Sequence, residues 1–87
     1  MNVETDKISK EQYQELIDEM YSWACSNGEY EWYAMDSDGT IIGYNDEEPY
    51  MARTCWEPNA SDYCEVLGCS EKTELYKFWK HSLIHLS

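Results

Sequence analysis

At 87 residues, with 43% hydrophobic and 15% aromatic side chains, the chain has material for one small globular domain and none for a separate cofactor domain. A core of this size buries about 60–65% of the unfolded surface. Four Trp, eight Tyr and one Phe must therefore supply much of the packing. Eighteen Asp and Glu against six Lys and Arg give a net charge of −12, which argues against direct contact with nucleic-acid phosphates or an anionic membrane and points to a neutral or basic partner.

The N-terminal stretch Met1 to Lys7 is polar and lacks the apolar segment of a secretory signal. No apolar run approaches the ~20 residues that span a bilayer. A cytoplasmic location is expected, with Cys25, Cys55, Cys64 and Cys69 as free thiols, two or three of them buried as small hydrophobes. In that compartment the Asn59-Ala60-Ser61 sequon carries no meaning.

The first element is a helix over about 9–27, because Tyr13, Leu16, Ile17, Met20, Trp23 and Ala24 recur at helical spacing. Ser9 and Gln12 fit a capping box, and Asn27-Gly28 supplies a left-handed stop. Strands are expected over about 30–36 and 40–44, joined through Asp36-Ser37-Asp38-Gly39 as a β-hairpin. After the charged loop Asn45 to Pro49, the alternation of residues 50–56 reads as a third strand. Residues 57–69, with Pro58, Asn59, Ser61, Asp62 and Gly68, look irregular, with a helical turn near Ala60 to Cys64. A second amphipathic helix is expected over about 70–86, from Ser70 through Leu75, Phe78, Trp79, Leu83 and Leu86. The fold class is α+β, a small antiparallel three-stranded sheet flanked by N-terminal and C-terminal amphipathic helices.

The carboxylates are concentrated. From Glu11 to Glu71 there are fifteen of them and one cation, Arg53, for a net of −14. Residues 1–10 sum to zero, and residues 72–87, with Lys72, Lys77 and Lys80 against Glu74, sum to +2. Solubility alone needs less charge, better interspersed. The expected partner-binding face combines Glu11, Glu15, Asp18 and Glu19 of the first helix, Asp36 and Asp38 of the hairpin turn, and Asp46, Glu47 and Glu48 of the following loop. Tyr30, Tyr44 and Tyr50 would anchor it, as aromatics dominate interface hot spots. Such a face resembles a phosphate backbone and would compete with nucleic acid for a Lys and Arg cluster.

Chemistry at a metal or a nucleophile finds weaker footing. Asp36-Ser37-Asp38-Gly39 with Glu47 has the outline of a calcium loop, but an EF-hand starting at Asp36 would need glycine where Ile41 stands and a ligand where Thr40 stands. Cys55, Cys64, Cys69 and His81 form the alternative set, a zinc-stabilised module, although no Cys-x-x-Cys pair is present. His81 and His85 lie one helical turn apart without the glutamate of a His-Glu-x-x-His site. An acidic neighbourhood raises a thiol's pKa, which works against a reactive cysteine. The four glycines are dispersed, so no phosphate loop is present. No enzymatic role and no cofactor is expected.

The segment Tyr33-Ala34-Met35-Asp36-Ser37-Asp38-Gly39-Thr40, followed by Tyr44 and Pro49 in a short acidic chain, resembles small accessory proteins of tailed bacteriophages over about residues 30–50. Phage proteins of this size and charge include anti-CRISPR and anti-restriction inhibitors, some of them DNA mimics. The resemblance implies a non-catalytic inhibitor of a basic, nucleic-acid-binding host protein or nucleoprotein complex in the bacterial cytoplasm. Neither nucleic acid nor membrane would be bound directly, and the chain would act as a monomer or homodimer. A self-associating structural module, its basic C-terminal segment meeting the acidic face of another copy, is the further alternative.

Overall fold

The structure, a computed structural model, describes residues 7–86; the N-terminal residues read above as lacking a secretory signal lie, but for Lys7, outside the described residues. Helix α1 spans Lys10–Asn27. Its expected cap is formed: the Gln12 N–H donates to Ser9 Oγ and the Ser9 N–H to Gln12 Oε1, each at 3.0 Å, so two otherwise orphaned donors are satisfied. At the other end Gly28 takes φ 64° and donates to the Ala24 carbonyl at 2.7 Å. Leu16, Met20 and Ala24, one per turn, are fully buried.

Strands β1 (Trp32–Met35) and β2 (Thr40–Tyr44) form the expected hairpin, with Trp32 opposite Tyr44 and Met35 opposite Ile41. In the turn the Gly39 N–H donates to the Asp36 carbonyl at 2.9 Å. Gly39 sits at φ 91°, a conformation that favours glycine, and a Cβ there would stand 2.1 Å from the Tyr76 ring, which would have to shift.

Beyond Pro49 the chain departs from expectation three times. The third strand over 50–56 is instead two short strands, β3 (Tyr50–Met51) and β4 (Trp56–Glu57), paired only with each other. Their connecting turn is tied to the hairpin, through the Ser37 N–H to the Thr54 carbonyl at 3.1 Å and the Trp56 N–H to Asp36 Oδ1 at 2.9 Å. That tie lays Trp56 across the sheet rather than alongside it. The stretch expected to be irregular holds β5 (Cys64–Cys69), antiparallel to β2, with a register shift opposite Ile41 and Ile42. Glu65 and Val66 are both exposed, so this edge strand lacks the alternation that marks a half-buried one. The second helix is a 3₁₀ segment over Thr73–His81, irregular at Phe78, and residues beyond it form β6 (Ile84–His85) against β1.

The main sheet therefore has four strands in the order β5-β2-β1-β6, antiparallel throughout. The α+β class holds, whereas the three-stranded sheet between two α-helices does not. Alternation divides the strands between two cores. Tyr33, Met35 and Ile41 pack beneath α1 with Leu75, Phe78 and Ile84. Ala34, Ile42 and Tyr44 pack on the opposite face with Trp56 and Trp79, whose rings meet edge to face at 6.3 Å and 86°. The Trp56 indole N–H reaches the Trp79 carbonyl at 3.3 Å.

Ser82, fully buried, completes the outer edge of β1 where β6 is too short to do so. Its Oγ accepts the Met35 N–H at 2.8 Å, and its proton lies within reach of the Trp79 carbonyl at 2.7 Å and the Met35 carbonyl at 3.2 Å. Ser82→Ala would orphan a buried donor, so a loss of about 1–3 kcal/mol is expected in urea unfolding with an unchanged m-value. The exposed Ser61→Ala should stay within about 0.5 kcal/mol of the parent.

Candidate functional site

Three of the carboxylates, Asp36, Asp38 and Asp62, accept hydrogen bonds from backbone N–H groups. At the end of the sheet where β2 finishes and β5 begins, Asp62 accepts the Asp46 N–H at 3.0 Å and the Glu47 N–H at 3.3 Å. Asn59 donates to the Glu48 carbonyl at 2.7 Å, and the Trp32 indole N–H to the Asp46 carbonyl at 3.3 Å. The loop's own carboxylates, Asp46, Glu47 and Glu48, are exposed on this pinned backbone. Burial works to raise the Asp62 carboxyl, but the N–H bonds from Asp46 and Glu47 outweigh it and hold the group below its ordinary value. Beside this loop Glu31 lies 3.6 Å from His85 Nε2, and the His85 ring stacks on Trp32 at 3.8 Å.

Asp36 and Asp38 lie at the opposite end of the hairpin. Three residue steps separate the Trp32–Tyr44 pair from the Met35–Ile41 pair. The two acidic groups are therefore on the order of 10 Å apart or more, about one Debye length at 0.1 M salt. They form two poles rather than one contiguous face. Burial pushes the Asp36 carboxyl up, the Trp56 N–H bond pulls it back, and Asp38 and Glu57 add to the rise. Asp38 is held down by its bonds to the Thr40 side chain and N–H.

On α1, Glu11 and Asp18 are exposed, with Asp18 accepting from Gln14 Nε2 at 2.9 Å. Glu15 and Glu19 are half-buried. Glu19 is also engaged, since its Oε2 accepts from the Trp23 indole at 3.0 Å and from Ser70 Oγ at 2.7 Å. Of the three expected tyrosine anchors, Tyr50 is exposed, whereas Tyr30 and Tyr44 are buried in the core. Tyr30 donates to Glu65, which together with burial raises its hydroxyl's pKa. The Tyr44 hydroxyl is buried with no hydrogen-bond partner among the described residues, and burial beside Asp36 raises it strongly. The sequence reading missed Asp62 and Glu65. An Asx-rich run after a proline was the available signal for the first, since short carboxylates bond nearby backbone.

All four cysteines are free thiols, but none is buried as expected, Cys25 and Cys69 being exposed and Cys55 and Cys64 half-buried, and the alternative zinc set does not converge. Cys64 and Cys69 stand at opposite ends of β5, paired with Tyr44 and Thr40 respectively, so about 13 Å separates them along the sheet. No group of three or more His, Cys, Asp or Glu placed to hold a metal occurs among the described residues. The Cys55 thiol donates to Glu57 Oε2 at 3.3 Å; that bond raises its pKa, and burial raises that of Cys64, so both stay protonated at neutral pH. Tyr76, bonded to Cys69, is pushed up to about 12. Among the described residues no helix is long and apolar enough to cross a membrane. A scan against protein-family models and searches of curated proteins and of solved structures found no match to this chain.

The two poles respond oppositely to acid. Asp36 has a raised folded pKa, so its ionised form costs stability above that value, and the cost vanishes below about pH 4 where it is protonated folded and unfolded. Asp36→Asn keeps an acceptor for the Trp56 N–H and should raise the melting temperature at pH 7 while matching the parent near pH 3. Asp62, with a lowered folded pKa, contributes stability above the ordinary carboxylate value that is lost as pH falls through the folded one. Asp62→Asn should therefore lower the melting temperature at pH 7 and converge on the parent in acid. Thermal melts across pH 3–7 check both signs.

Proposed function

We propose that this protein is a non-catalytic inhibitor that binds a basic, nucleic-acid-binding surface of another protein, in the manner of the phage counter-defence proteins that residues 30–50 resemble. The observation that carries the reading is the Asp46-Glu47-Glu48 loop, three exposed carboxylates on a backbone that Asp62 and Asn59 hold in place. Like charges held together repel, and a cluster of Lys and Arg relieves that repulsion on contact. Because the loop is already ordered, little conformational entropy is lost when a partner engages it. Tyr50, exposed just after the loop, is the aromatic available to seat beside the contact. The second pole, Asp36 and Asp38, extends the negative field along the molecule and speeds encounter with a basic groove. Occupation of that groove excludes the nucleic acid that would otherwise fill it.

The test is capture from nuclease-treated bacterial lysate on the immobilised full-length chain, eluted along a salt gradient. A nucleic-acid-handling protein should elute at moderate salt and be displaced by added duplex DNA. Joint Asp46→Lys, Glu47→Lys and Glu48→Lys substitution should weaken that binding by more than about tenfold at low salt. Retention indifferent to both salt and the triple reversal would overturn the reading.

A further inference from the structure

The two edges of the main sheet are finished differently. On the β6 side the Ser82 hydroxyl satisfies Met35, and the 3₁₀ segment packs over the edge. On the other side β5 pairs with β2 alone, and no strand flanks it among the described residues. Hydrogen bonds at the two ends of β5 set which of its groups are free: Asn45 N–H donates to the Tyr63 carbonyl and Ser70 N–H to the Gly39 carbonyl, each at 2.9 Å. Antiparallel pairs alternate, so from the Tyr63 end Tyr63 and Glu65 turn their backbone groups toward β2 while Cys64 and Val66 turn theirs outward, and the register shift between Val66 and Gly68 reverses the alternation so that Gly68 and Ser70 again face β2.

The surroundings of this open edge are acidic and partly apolar. From Cys55 to Glu71 the chain carries Glu57, Asp62, Glu65 and Glu71 and no Lys or Arg. Val66 is 63% exposed and Tyr63 60%. Beside β5, on the α1 side of the sheet, lies an open groove of about 760 Å³ whose lining includes Trp23, Leu67, Glu19, Glu71, Glu74 and Lys72. Trp23 lies against Gly68, where a Cβ would stand 2.7 Å from its ring, so the absent side chain is what lets the indole settle there. Glu65 points to this same side of the sheet, where it meets Tyr30, and Val66 to the other.

We propose that an extended basic segment of the partner adds to β5 as a fifth strand, its backbone pairing with Cys64 and Val66. Its lysines or arginines would lie along Glu65 and the groove, and alternate apolar side chains along Val66. This deepens the reading of the acidic loop by assigning a mode of contact, and it rests on that reading for the partner's charge. A second copy is disfavoured as occupant, because two chains of net charge −12 would set their Glu65 flanks against one another.

The experiment is amide hydrogen exchange by NMR on the full-length chain at low salt with the peptide acetyl-Lys-Val-Lys-Val-Lys-Val-Lys-amide. Two analogues of equal charge are compared with it, each methylated at alternate backbone nitrogens along one of its two edges. The parent peptide should slow exchange at Cys64 and Val66 by about tenfold or more, with little change at Glu65, which is already bonded to β2. One analogue should lose this protection. Val66→Lys, an exposed edge substitution, should weaken peptide binding by about tenfold through charge repulsion. Equal, salt-sensitive binding of all three peptides would overturn strand addition while leaving the acidic-loop reading intact. Absence of protection with any peptide overturns it too, as does protection of Cys64 and Val66 in the free protein that grows with its concentration, which would mark a second copy at the edge. Protection that persists when the triple loop reversal has abolished lysate capture would support the edge and place the two contacts on separate footings.

Discussion

The bond between the Ser82 hydroxyl and the Met35 backbone holds the place where the C-terminal segment crosses from one side of the sheet to the other. Phe78 is in the core beneath α1 and Trp79, its neighbour in sequence, is in the core on the opposite face. The backbone leaves helical geometry at Phe78 (φ −103°, ψ 19°), where these two neighbours part to the two faces, and Ser82 then restores the hydrogen bonds that a longer β6 would have made. A chain of this length thereby covers both faces of its sheet with one α-helix and a few large aromatics.

Trp56 depends on the same crossing. Its indole N–H ends on the Trp79 carbonyl, and its backbone N–H on Asp36. The half-buried Asp36 carboxylate joins the hairpin turn to the β3–β4 ribbon, and its raised pKa reflects that burial. Asp62 performs the matching task at the other end with less burial and more donors, and its pKa falls. Two carboxylates of the same chemistry thus organise two loops with opposite electrostatic consequences. Most of the other acids face solvent, with Glu15, Glu19 and Glu57 half-buried, and the charge acts as a field with two poles and not as a regular ladder of phosphates.

The open β5 edge and the acidic loop adjoin at one end of the sheet, since Asn45 bonds to Tyr63 directly before β5 begins. A partner engaging the loop would meet the edge in the same encounter. Under the proposal, the acidic residues flanking β5 would also oppose its pairing with a second copy, a role that lysines more often serve in edge strands. On the proposed reading, the negative charge would favour basic segments and oppose pairing with a second copy by the same repulsion.

By itself the sequence determined α1 with both caps, the first hairpin with its turn, and the α+β class, because these rest on periodicity and on bonds between residues three or four apart. It also determined the charge surplus, which is a matter of counting. Only the tertiary structure decided that residues 50–56 fold back on themselves, that Cys64–Cys69 is an edge strand, and that Ile84–His85 pairs with β1. Each of those depends on a distant partner, Asp36 for Trp56, β2 for β5 and Met35 for Ser82, and no local pattern encodes a contact made tens of residues away. The same distance hid the division of the acidic residues into two poles and the burial of Tyr30 and Tyr44, since neighbours along the chain do not specify neighbours in space.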